Sequence, residues 1–334
     1  MIILCRKQSL AHLSGRDIRR HLFGDLMSKN LSVVIPVYNS QDSLPVLLPL
    51  LHKELTSITE DFEIILVNDG SYDQSWQEIE RLCQEYKGIR AFDLVRNFGQ
   101  HNALLCGIRA AKYDIILTMD DDLQHPVNEI SSLLKELTPS LDLVYGTPKT
   151  EKHRGWRNLS SKLTKWALKV SLHIPYAERV SAFRIFRSSL RDSFKDYSNP
   201  YLSIDVLLSW GTTRIGFVEV EHNERKLGKS QYDFHKLLRH ASNMILGFSV
   251  LPLRIASLLG LLFTLIGFLI LMYVLIRYFI HGGAVPGFSF LASTISIFSG
   301  IILFVLGIMG EYLARIYINM MSKPTYSIYR QIGG

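Results

Sequence analysis

Short apolar runs alternate with amphipathic stretches from residue 31 onward, and this alternation predicts strands separated by helices. The run LSVVIPVY at 31–38 is β-branched and ends at polar residues, which is typical of a buried strand. The other predicted strands are FEIILVNDGS at 62–71, IRAFDLV at 89–95, DIILTMD at 114–120, LDLVYG at 141–146 and IGFVEVEH at 215–222. The predicted helices are Ser43–Thr56, Ser75–Tyr86, Gln100–Lys112 and Val127–Leu137.

This order of elements predicts a Rossmann-like α/β fold, with a mostly parallel sheet that helices cover on both faces. Ligands of such sheets bind beyond the carboxyl ends of the strands. The polar clusters YNS, NDGS, RNFGQ and DDDLQ each follow directly after a predicted strand. We therefore expect the four clusters to converge at one edge of the sheet.

Two uncharged apolar runs near the C-terminus are each longer than the ~20 residues that cross a bilayer as a helix. They lie at Ile255–Ile276 and between Gly282 and Gly310, joined by the short loop RYFIHGG. Buried helices of a soluble protein are the alternative, but the paired arrangement favours a transmembrane hairpin. Basic residues flank it on both outer sides, so the positive-inside rule predicts that both ends are cytoplasmic. These residues are Lys236, Arg239, Arg254, Arg315, Lys323 and Arg330.

The pattern divides the chain into five parts. We expect a flexible N-terminal extension or an over-long start at 1–30, because its first 26 residues lack the apolar core of a signal peptide. The remaining parts are an α/β domain at 31–233, an interfacial helix at 234–253, the hairpin at 254–312 (spans at about 255–276 and 286–310) and a cytoplasmic tail at 313–334.

The net charge and the cysteine content indicate which kinds of partner and site to expect. The net charge of +7 and a pI near 9.2 suit an anionic lipid surface. The sequence contains no nucleic-acid-binding motif, so we expect no nucleic-acid partner. The three cysteines fit no metal-binding or redox spacing and are expected to be ordinary reduced thiols.

Three consecutive carboxylates, Asp120 to Asp122, end the predicted strand DIILTMD. Because side chains at i and i+2 of a strand point the same way, we expect Asp120 and Asp122 to converge and Asp121 to point away. Oxygen ligands suit Mg²⁺ or Mn²⁺ better than Zn²⁺, and two carboxylates leave positions for substrate phosphates. A solvated acidic turn or a helix N-cap is the alternative.

Two further loops carry groups suited to binding a nucleotide or a sugar, and a plain turn or loop is the alternative for each. Asp69 offers an acceptor for a sugar hydroxyl or a base N–H, Gly70 permits a tight turn, and the Tyr38 ring suits stacking on a base. The P-loop, GxGxxG, GxSxG and HExxH motifs are all missing from the sequence. What remains is a nucleotide-diphosphate site with a divalent ion and no phosphate-gripping loop.

Six motifs, together with the hairpin, resemble those of the polyprenyl-phosphate glycosyltransferases, which belong to glycosyltransferase family 2 and have the GT-A fold. The motifs are VIPVYNSQDSLPVLL, ILVNDGSYD, RNFGQHNALLCGIRAA, DIILTMDDDLQHP, RKLGKSQY and GEYLARIY. The likeness runs from about Leu31 to the C-terminus. YNSQDSLP and GQH are most similar to the branch that transfers 4-deoxy-4-formamido-L-arabinose to undecaprenyl phosphate.

The resemblance implies transfer of a sugar from a nucleotide-diphosphate sugar, with UDP favoured, to a polyprenyl phosphate, with undecaprenyl phosphate favoured, at the bacterial inner membrane. It also raises the expectation of a homo-tetramer. The residues that it assigns to the nucleotide sugar are Pro36, Tyr38, Asn39, Asp69, Gln100 and Asp120. Those for the metal ion are Asp120, Asp122 and Gln124, and those near the acceptor phosphate are Arg225, Gly228, Lys229, Ser230 and Tyr232.

The implied nucleophile is a phosphate oxygen of the lipid, which is anionic at neutral pH and needs no strong general base. Arg225, Lys229 and Arg184 are expected to bring the two anionic substrates together. Asp120 and Asp122 are expected to hold an ion that would stabilise the departing diphosphate as a Lewis acid. A single displacement predicts inversion at the anomeric carbon.

Two positions depart from the family pattern. Ser40 follows the YN pair, where relatives usually have Glu, so a ribose contact is missing or comes from elsewhere. In AERVSAFRIFR, Glu178 is the nearest match to an acidic catalytic position, but the usual Gly is missing. The sugar pocket is therefore expected to differ from that of relatives.

Rival interpretations use the same features. A processive polysaccharide synthase would need a Q-x-x-R-W motif and more transmembrane helices, and the sequence has neither. A non-catalytic lipid-carrier scaffold would leave the metal and nucleotide positions unexplained, and a soluble nucleotidyltransferase would not need the hairpin. The basic stretch at 153–169 fits either docking on anionic headgroups or a solvated helix face.

Overall fold

The computed structural model describes residues 30–149, 179–199, 202–223, 250–281, 287–321 and 323–333, which belong to two units. The predicted N-terminal extension, the basic stretch at 153–169 and most of the interfacial helix at 234–253 lie outside these residues. The strands are β1 Leu31–Val37, β2 Phe62–Asn68, β3 Ile89–Leu94, β4 Ile115–Thr118, β5 Leu143–Pro148, β6 Arg184–Arg187, β7 Ile215–Val220 and β8 Ile328–Ile332. The helices are α1 Leu44–Ile58, α2 Ser75–Glu85, α3 Gln100–Ala110, α4 Ile130–Glu136, α5 Ile204–Gly211, α6 Leu251–His281 and α7 Phe288–Met320, with 3₁₀ turns at Val127–Glu129 and Ser188–Phe194.

The first unit is built on one sheet with the strand order β7-β5-β6-β4-β1-β2-β3-β8. β1 pairs in parallel with β2 on one side and with β4 on the other, and β3 lies beyond β2. The chain thus moves outward from β1 in one direction and then returns to its other side. This reversal creates a topological switch point at the carboxyl ends of β1 and β4.

Hydrophobic side chains alternate between the two faces of the central strands. Leu31, Val33, Ile35 and Val37 of β1 pack on one face with α1, α2 and α4, whereas Val34 packs on the other face with α3 and α5. Burial on both faces explains the near-continuous apolar sequence of this strand.

The sequence analysis predicted six of these strands and missed β6 and β8. β6 is antiparallel between β4 and β5, and its sequence RIFR carries an arginine at each end. β8 is an antiparallel edge strand beside β3, with the largely exposed sequence IYRQI. Polar residues on an edge strand discourage further pairing, and they also hide the strand from an apolar pattern search.

Asp142, directly before β5, is predicted to stabilise the sheet through the charge of its carboxylate. Its carboxylate accepts hydrogen bonds from Arg214 Nε at 2.8 Å and Nη2 at 2.6 Å and from Thr212 Oγ1 at 2.6 Å. The hydrogen bonds from Arg214 are the main reason that the pKa of Asp142 lies below its usual 3.8. Asp142→Asn should therefore lower the free energy of unfolding at pH 7 by about 1–2 kcal/mol.

The pH dependence separates this effect from a packing defect. The extra stability of the wild-type protein is present above pH ~4 and is lost as the pH falls through the lowered pKa of folded Asp142. Chemical unfolding at pH 7 and at pH 3 should therefore show a difference between the two proteins that shrinks in acid. An undiminished difference at low pH would contradict the assigned role of the charge.

The second unit contains α6 and α7, which are long and apolar enough to cross a membrane. Their candidate spans are Leu251–Ile280 and Ile297–Met320, with mean hydropathies of 2.7 and 2.0. The helix α7 covers the predicted second span at 286–310 from Phe288 onward, and its later residues Glu311 and Arg315 form an ion pair one helical turn apart at 3.1 Å. The rings of Phe263 and Phe298 lie 6.3 Å apart between the two helices.

Candidate active site

Loops at the carboxyl ends of β1 to β4 are joined by hydrogen bonds at one edge of the sheet. The backbone N–H of Tyr72, after β2, donates to Asn39 Oδ1, after β1, at 2.9 Å. Gln100, at the start of α3, donates from Nε2 to Asp120 Oδ1, after β4, at 2.6 Å. The predicted convergence of the four polar clusters is therefore confirmed, and it occurs at the switch point.

The acidic triplet lies in the loop after β4, because this strand already ends at Thr118. The strand alternation that the sequence analysis applied to these residues was therefore wrong. Asp121 accepts a hydrogen bond from Ser40 Oγ, which links the loops after β1 and β4. Burial raises the pKa of Asp121 to about 6, and the charge of Asp122 also raises it, while the hydrogen bond from Ser40 lowers it.

Asp120 and Asp122 are both partly buried in this loop. Asp120 faces Gln100, and Asp122 Oδ1 accepts the backbone N–H of Gln124 at 3.2 Å. Across the described ranges, no group of three or more His, Cys, Asp or Glu side chains is arranged to hold a metal ion. Two carboxylates and one amide oxygen nevertheless fit a hard divalent cation whose remaining ligands are phosphate oxygens and water.

Asp69, after β2, is buried and orders the loop after β3. Its two carboxylate oxygens accept the backbone N–H groups of Phe98 at 2.7 Å and Gly99 at 2.8 Å. Burial raises its pKa, whereas these two hydrogen bonds and the charge of Arg96 lower it. Any contact between Asp69 and a nucleotide would be additional to these backbone bonds.

Gly70, in the loop after β2, lies where the backbone of the loop after β3 leaves no room for a side chain. Its φ is +63°, and an added Cβ would lie 2.5 Å from the carbonyl carbon of Arg96 and 2.6 Å from the nitrogen of Asn97. Gly70→Ala is therefore expected to lower the free energy of unfolding by at least about 2 kcal/mol, because it adds this clash to the left-handed strain. A loss of less than about 1 kcal/mol in chemical unfolding, which the left-handed strain alone would explain, would contradict the importance of the clash.

The predicted base-pocket residues lie after and within β1. Pro36 is buried in the strand, two residues beyond the point where pairing with β4 ends at Val34. The Tyr38 ring is partly buried and lies edge-on to Tyr72, with centroids 6.4 Å apart. Asn39 has a φ of +54°, so the chain turns sharply after the strand. Pro36 therefore shapes the backbone of this edge, whereas Tyr38 and Asn39 lie in the loop itself.

Arg184 is buried, with 1% of its side chain exposed. It pairs with Thr118 across β6 and β4, donates from Nε to Thr118 Oγ1 at 3.0 Å, and forms an ion pair with Asp205 at the start of α5. Burial opposes its charge, but Asp205, Tyr145 and Asp120 raise its pKa. The structure thus places this cation under the end of β4, bonded to protein groups.

The predicted acceptor-phosphate residues Arg225, Lys229, Ser230 and Tyr232, and the acidic candidate Glu178, lie outside the described residues. The chain that leads to them is described as far as residue 223. The backbone N–H of Asn223 donates to the carbonyl oxygen of Gln124 at 2.9 Å. His222 lies beside His125, with ring centroids 5.2 Å apart, and burial lowers the pKa of His125 to about 4.

Several residues that organise this edge were missed in the sequence. Ser40 was noted only as a departure from the family pattern, although its hydroxyl bonds to Asp121. Asp205 and Arg330 have partners 21 and 237 residues away, at Arg184 and Asp93. No local signal in the sequence marks such long-range pairs.

The chain is similar to known glycosyltransferases along most of its length. Residues 32–197 match the model of the glycosyl transferase family 2. Undecaprenyl-phosphate 4-deoxy-4-formamido-L-arabinose transferase of Proteus mirabilis is 31% identical over 307 residues, which cover 91% of this chain and 94% of that protein. The transferase of the same name from Pectobacterium carotovorum is 33% identical over 308 residues, with coverage of 91% and 94%.

Solved structures support the fold. Glucosyl-3-phosphoglycerate synthase of Mycobacterium tuberculosis, in complex with Mn²⁺ and UDP-glucose, is similar with a TM-score of 0.50 and 18% identity. The similarity covers 68% of this chain and 80% of that chain, and at this identity it concerns the fold alone. The chain therefore belongs to glycosyl transferase family 2, is a glycosyltransferase with the GT-A fold, and resembles the transferases that act on undecaprenyl phosphate.

Proposed function

We propose that the protein transfers one sugar from a nucleotide-diphosphate sugar, with UDP as the nucleotide, to a polyprenyl phosphate, with undecaprenyl phosphate as the carrier. The reaction takes place at the cytoplasmic face of the bacterial inner membrane and supplies a lipid-linked sugar for the cell envelope. The observation that carries this proposal is the edge where hydrogen-bonded loops bring the acidic triplet beside β1 and α3.

The acceptor is supported by the relatives and by the two apolar helices. The similar proteins from Proteus mirabilis and Pectobacterium carotovorum are named for transfer to undecaprenyl phosphate. α6 and α7 are each long and apolar enough to cross a bilayer. A lipid-linked acceptor needs such contact with the membrane, whereas a soluble acceptor does not.

The topology of the sheet supports a hairpin with both ends on one side of the membrane. β1 to β7 precede the two helices in the chain, whereas β8 follows them and pairs with β3 of the same sheet. One sheet lies on one side of a membrane, so two crossings must return the chain to its starting side. The basic residues that flank the helices favour the cytoplasmic side.

In the proposed donor site, the loops after β1 and β2 hold the nucleoside and the loop after β4 holds the diphosphate. Tyr38 and Asn39 contact the base and ribose, Asp69 fixes the loop after β3, and Gln100 orients Asp120 through its 2.6 Å hydrogen bond. Asp120, Asp122 and Gln124 would hold Mg²⁺ or Mn²⁺. When bound, this ion would neutralise charge on the departing nucleoside diphosphate as a Lewis acid.

The acceptor phosphate would be held by Arg225 and Lys229, with Ser230 and Tyr232 as further donors. Arg225 follows Asn223 by two residues, a chain length of at most about 7 Å, and Asn223 is bonded to the carbonyl of Gln124. A lipid phosphate oxygen then forms the new bond to the anomeric carbon. The bond from the anomeric carbon to the nucleoside diphosphate breaks, and its electron pair leaves with the diphosphate. Because this is a single displacement, the configuration at the anomeric carbon inverts. The residues position two anions and need no strong base.

A donor screen tests the proposal. Detergent-solubilised full-length protein is incubated with undecaprenyl phosphate, Mg²⁺ or Mn²⁺ and a panel of radiolabelled nucleotide sugars. We expect label from a UDP-sugar to enter the organic phase, and EDTA to abolish this transfer. Failure of every donor, together with a failure to bind any nucleoside diphosphate in calorimetry, would refute the proposal and favour a non-catalytic scaffold.

A further inference from the structure

The C-terminal strand β8 places the side chain of Arg330 beside Asp93, near the carboxyl end of β3. Arg330 of β8 donates from Nε to Asp93 Oδ2 at 2.9 Å, and its guanidinium lies 4.5 Å from the Trp76 ring centroid and 3.4 Å from Glu80. Asp93 is 8% exposed, so its carboxylate depends on protein partners. Arg330 is thus a cation that the last few residues of the chain supply to a buried carboxylate.

A series of hydrogen bonds connects Asp93 to the loops of the candidate active site. Asn68 donates from Nδ2 to Asp93 Oδ1 at 2.6 Å, and Ser71 Oγ donates to Asn68 Oδ1 at 2.5 Å. The backbone N–H of Asn39 donates in turn to Ser71 Oγ at 3.0 Å. An unbroken row of hydrogen bonds therefore joins β8 to the loop after β1. We call these five residues, Arg330, Asp93, Asn68, Ser71 and Asn39, the C-terminal relay.

The relay is suited to a positioning role. Asn68 is 2% exposed and its amide is oriented by both neighbours, so loss of either bond leaves a buried polar atom unpaired. Asn39 has a left-handed φ of +54°, a turn conformation that asparagine adopts readily, and its backbone N–H is held by Ser71 Oγ. Its side chain also accepts the N–H of Tyr72 at 2.9 Å, so the relay fixes two neighbouring loops.

We propose that Arg330 is a positioning residue for the nucleoside half of the donor site and acts through the C-terminal relay. This inference rests on the proposed function, because it assigns the loops after β1 and β2 to the donor nucleotide. It makes the strand that follows the two apolar helices a working part of the donor site. Arg330 itself touches neither substrate nor reacting atoms.

Hydrogen exchange tests the relay without any substrate. In full-length protein in detergent, Arg330→Ala should raise amide exchange about fivefold or more in peptides covering 38–43 and 68–75. Gln331→Ala is the matched control, since Gln331 is an exposed residue of the same strand and takes no part in the relay. Asp93→Asn should raise amide exchange in the same peptides. It provides the test if Arg330→Ala does not fold. Equal exchange in wild-type protein, Arg330→Ala and Asp93→Asn would overturn the relay.

Kinetics test the positioning role. Arg330→Ala should raise the KM for the nucleotide sugar about tenfold while kcat and the KM for the lipid acceptor change less than about twofold. Arg330→Lys, which keeps a cation beside Asp93, should recover most of the loss. A fall in kcat alone, or an equal rise of both KM values, would overturn the inference. If wild-type protein transfers no sugar, the proposed function fails, and the exchange result alone decides whether the relay exists.

Discussion

Asp122→Asn is expected to reduce sugar transfer by at least about a hundredfold while the protein stays folded. The substitution preserves the size of the side chain but removes one of the two carboxylates proposed to hold the metal ion. The charge of Asp122 also raises the pKa of Asp121, so its removal relieves repulsion in the acidic loop. We therefore expect the free energy of unfolding to be unchanged or higher, as is common where a functional site carries like charges.

Asp114→Asn is the matched control for this variant. Asp114 precedes the same strand, β4, at the opposite edge of the sheet, and it is exposed. The substitution Asp114→Asn removes the same charge away from the proposed site, so sugar transfer should remain close to that of the wild-type protein. Full activity of Asp122→Asn, or equal losses in both variants, would contradict the assignment of Asp122 to the metal ion.

Asp205→Leu is expected to lower the free energy of unfolding by about 3–5 kcal/mol, because it leaves a buried charge without its partner. Asp205 forms the ion pair with Arg184 and also accepts a hydrogen bond from Tyr145 Oη at 3.1 Å. Arg184 would keep its hydrogen bond to Thr118 Oγ1 but lose the carboxylate that balances its charge. Chemical unfolding in detergent, followed by tryptophan fluorescence, measures this loss.

A double variant separates the cost of an unpaired charge from the value of the pair. Arg184→Met combined with Asp205→Leu removes both charges and fills a similar volume, so most of the lost stability should return. Arg214→Ala removes a partner of Asp142 whose own side chain is 59% exposed, and it should cost much less than Asp205→Leu because water and Thr212 can still solvate the carboxylate. If the double variant is as unstable as Asp205→Leu, packing around these side chains and not their charge explains the loss.

The central strands and the position of the acidic triplet could be predicted because both are marked by short stretches of neighbouring residues in the sequence. β1 to β4 are runs of buried apolar residues between helical patterns, and a parallel sheet requires their carboxyl ends to lie on one side. The convergence of the YNS, NDGS, RNFGQ and DDDLQ clusters follows from this rule alone. The end of β4 was misplaced because Met119 continues the apolar run beyond the last paired residue.

The remaining features depend on contacts between distant parts of the chain. β8 has a mixed sequence and joins the sheet only because β3 offers a free edge, 234 residues earlier at the Leu94–Ile328 pair. Arg184 was predicted to face the substrates, yet its place on β6 beside Thr118 buries it against Asp205. No periodicity in the sequence encodes which carboxylate a buried arginine meets.

Mass spectrometry of the lipid product tests the central claim most directly. Wild-type protein, undecaprenyl phosphate and the donor found in the screen are incubated with Mg²⁺, and lipid and nucleotide products are counted together. We predict one new lipid species, heavier than the acceptor by a single sugar residue, with one nucleoside diphosphate released for each molecule formed. A ladder of several sugars would instead indicate a polysaccharide synthase, and nucleotide release without a new lipid would contradict transfer to the lipid phosphate.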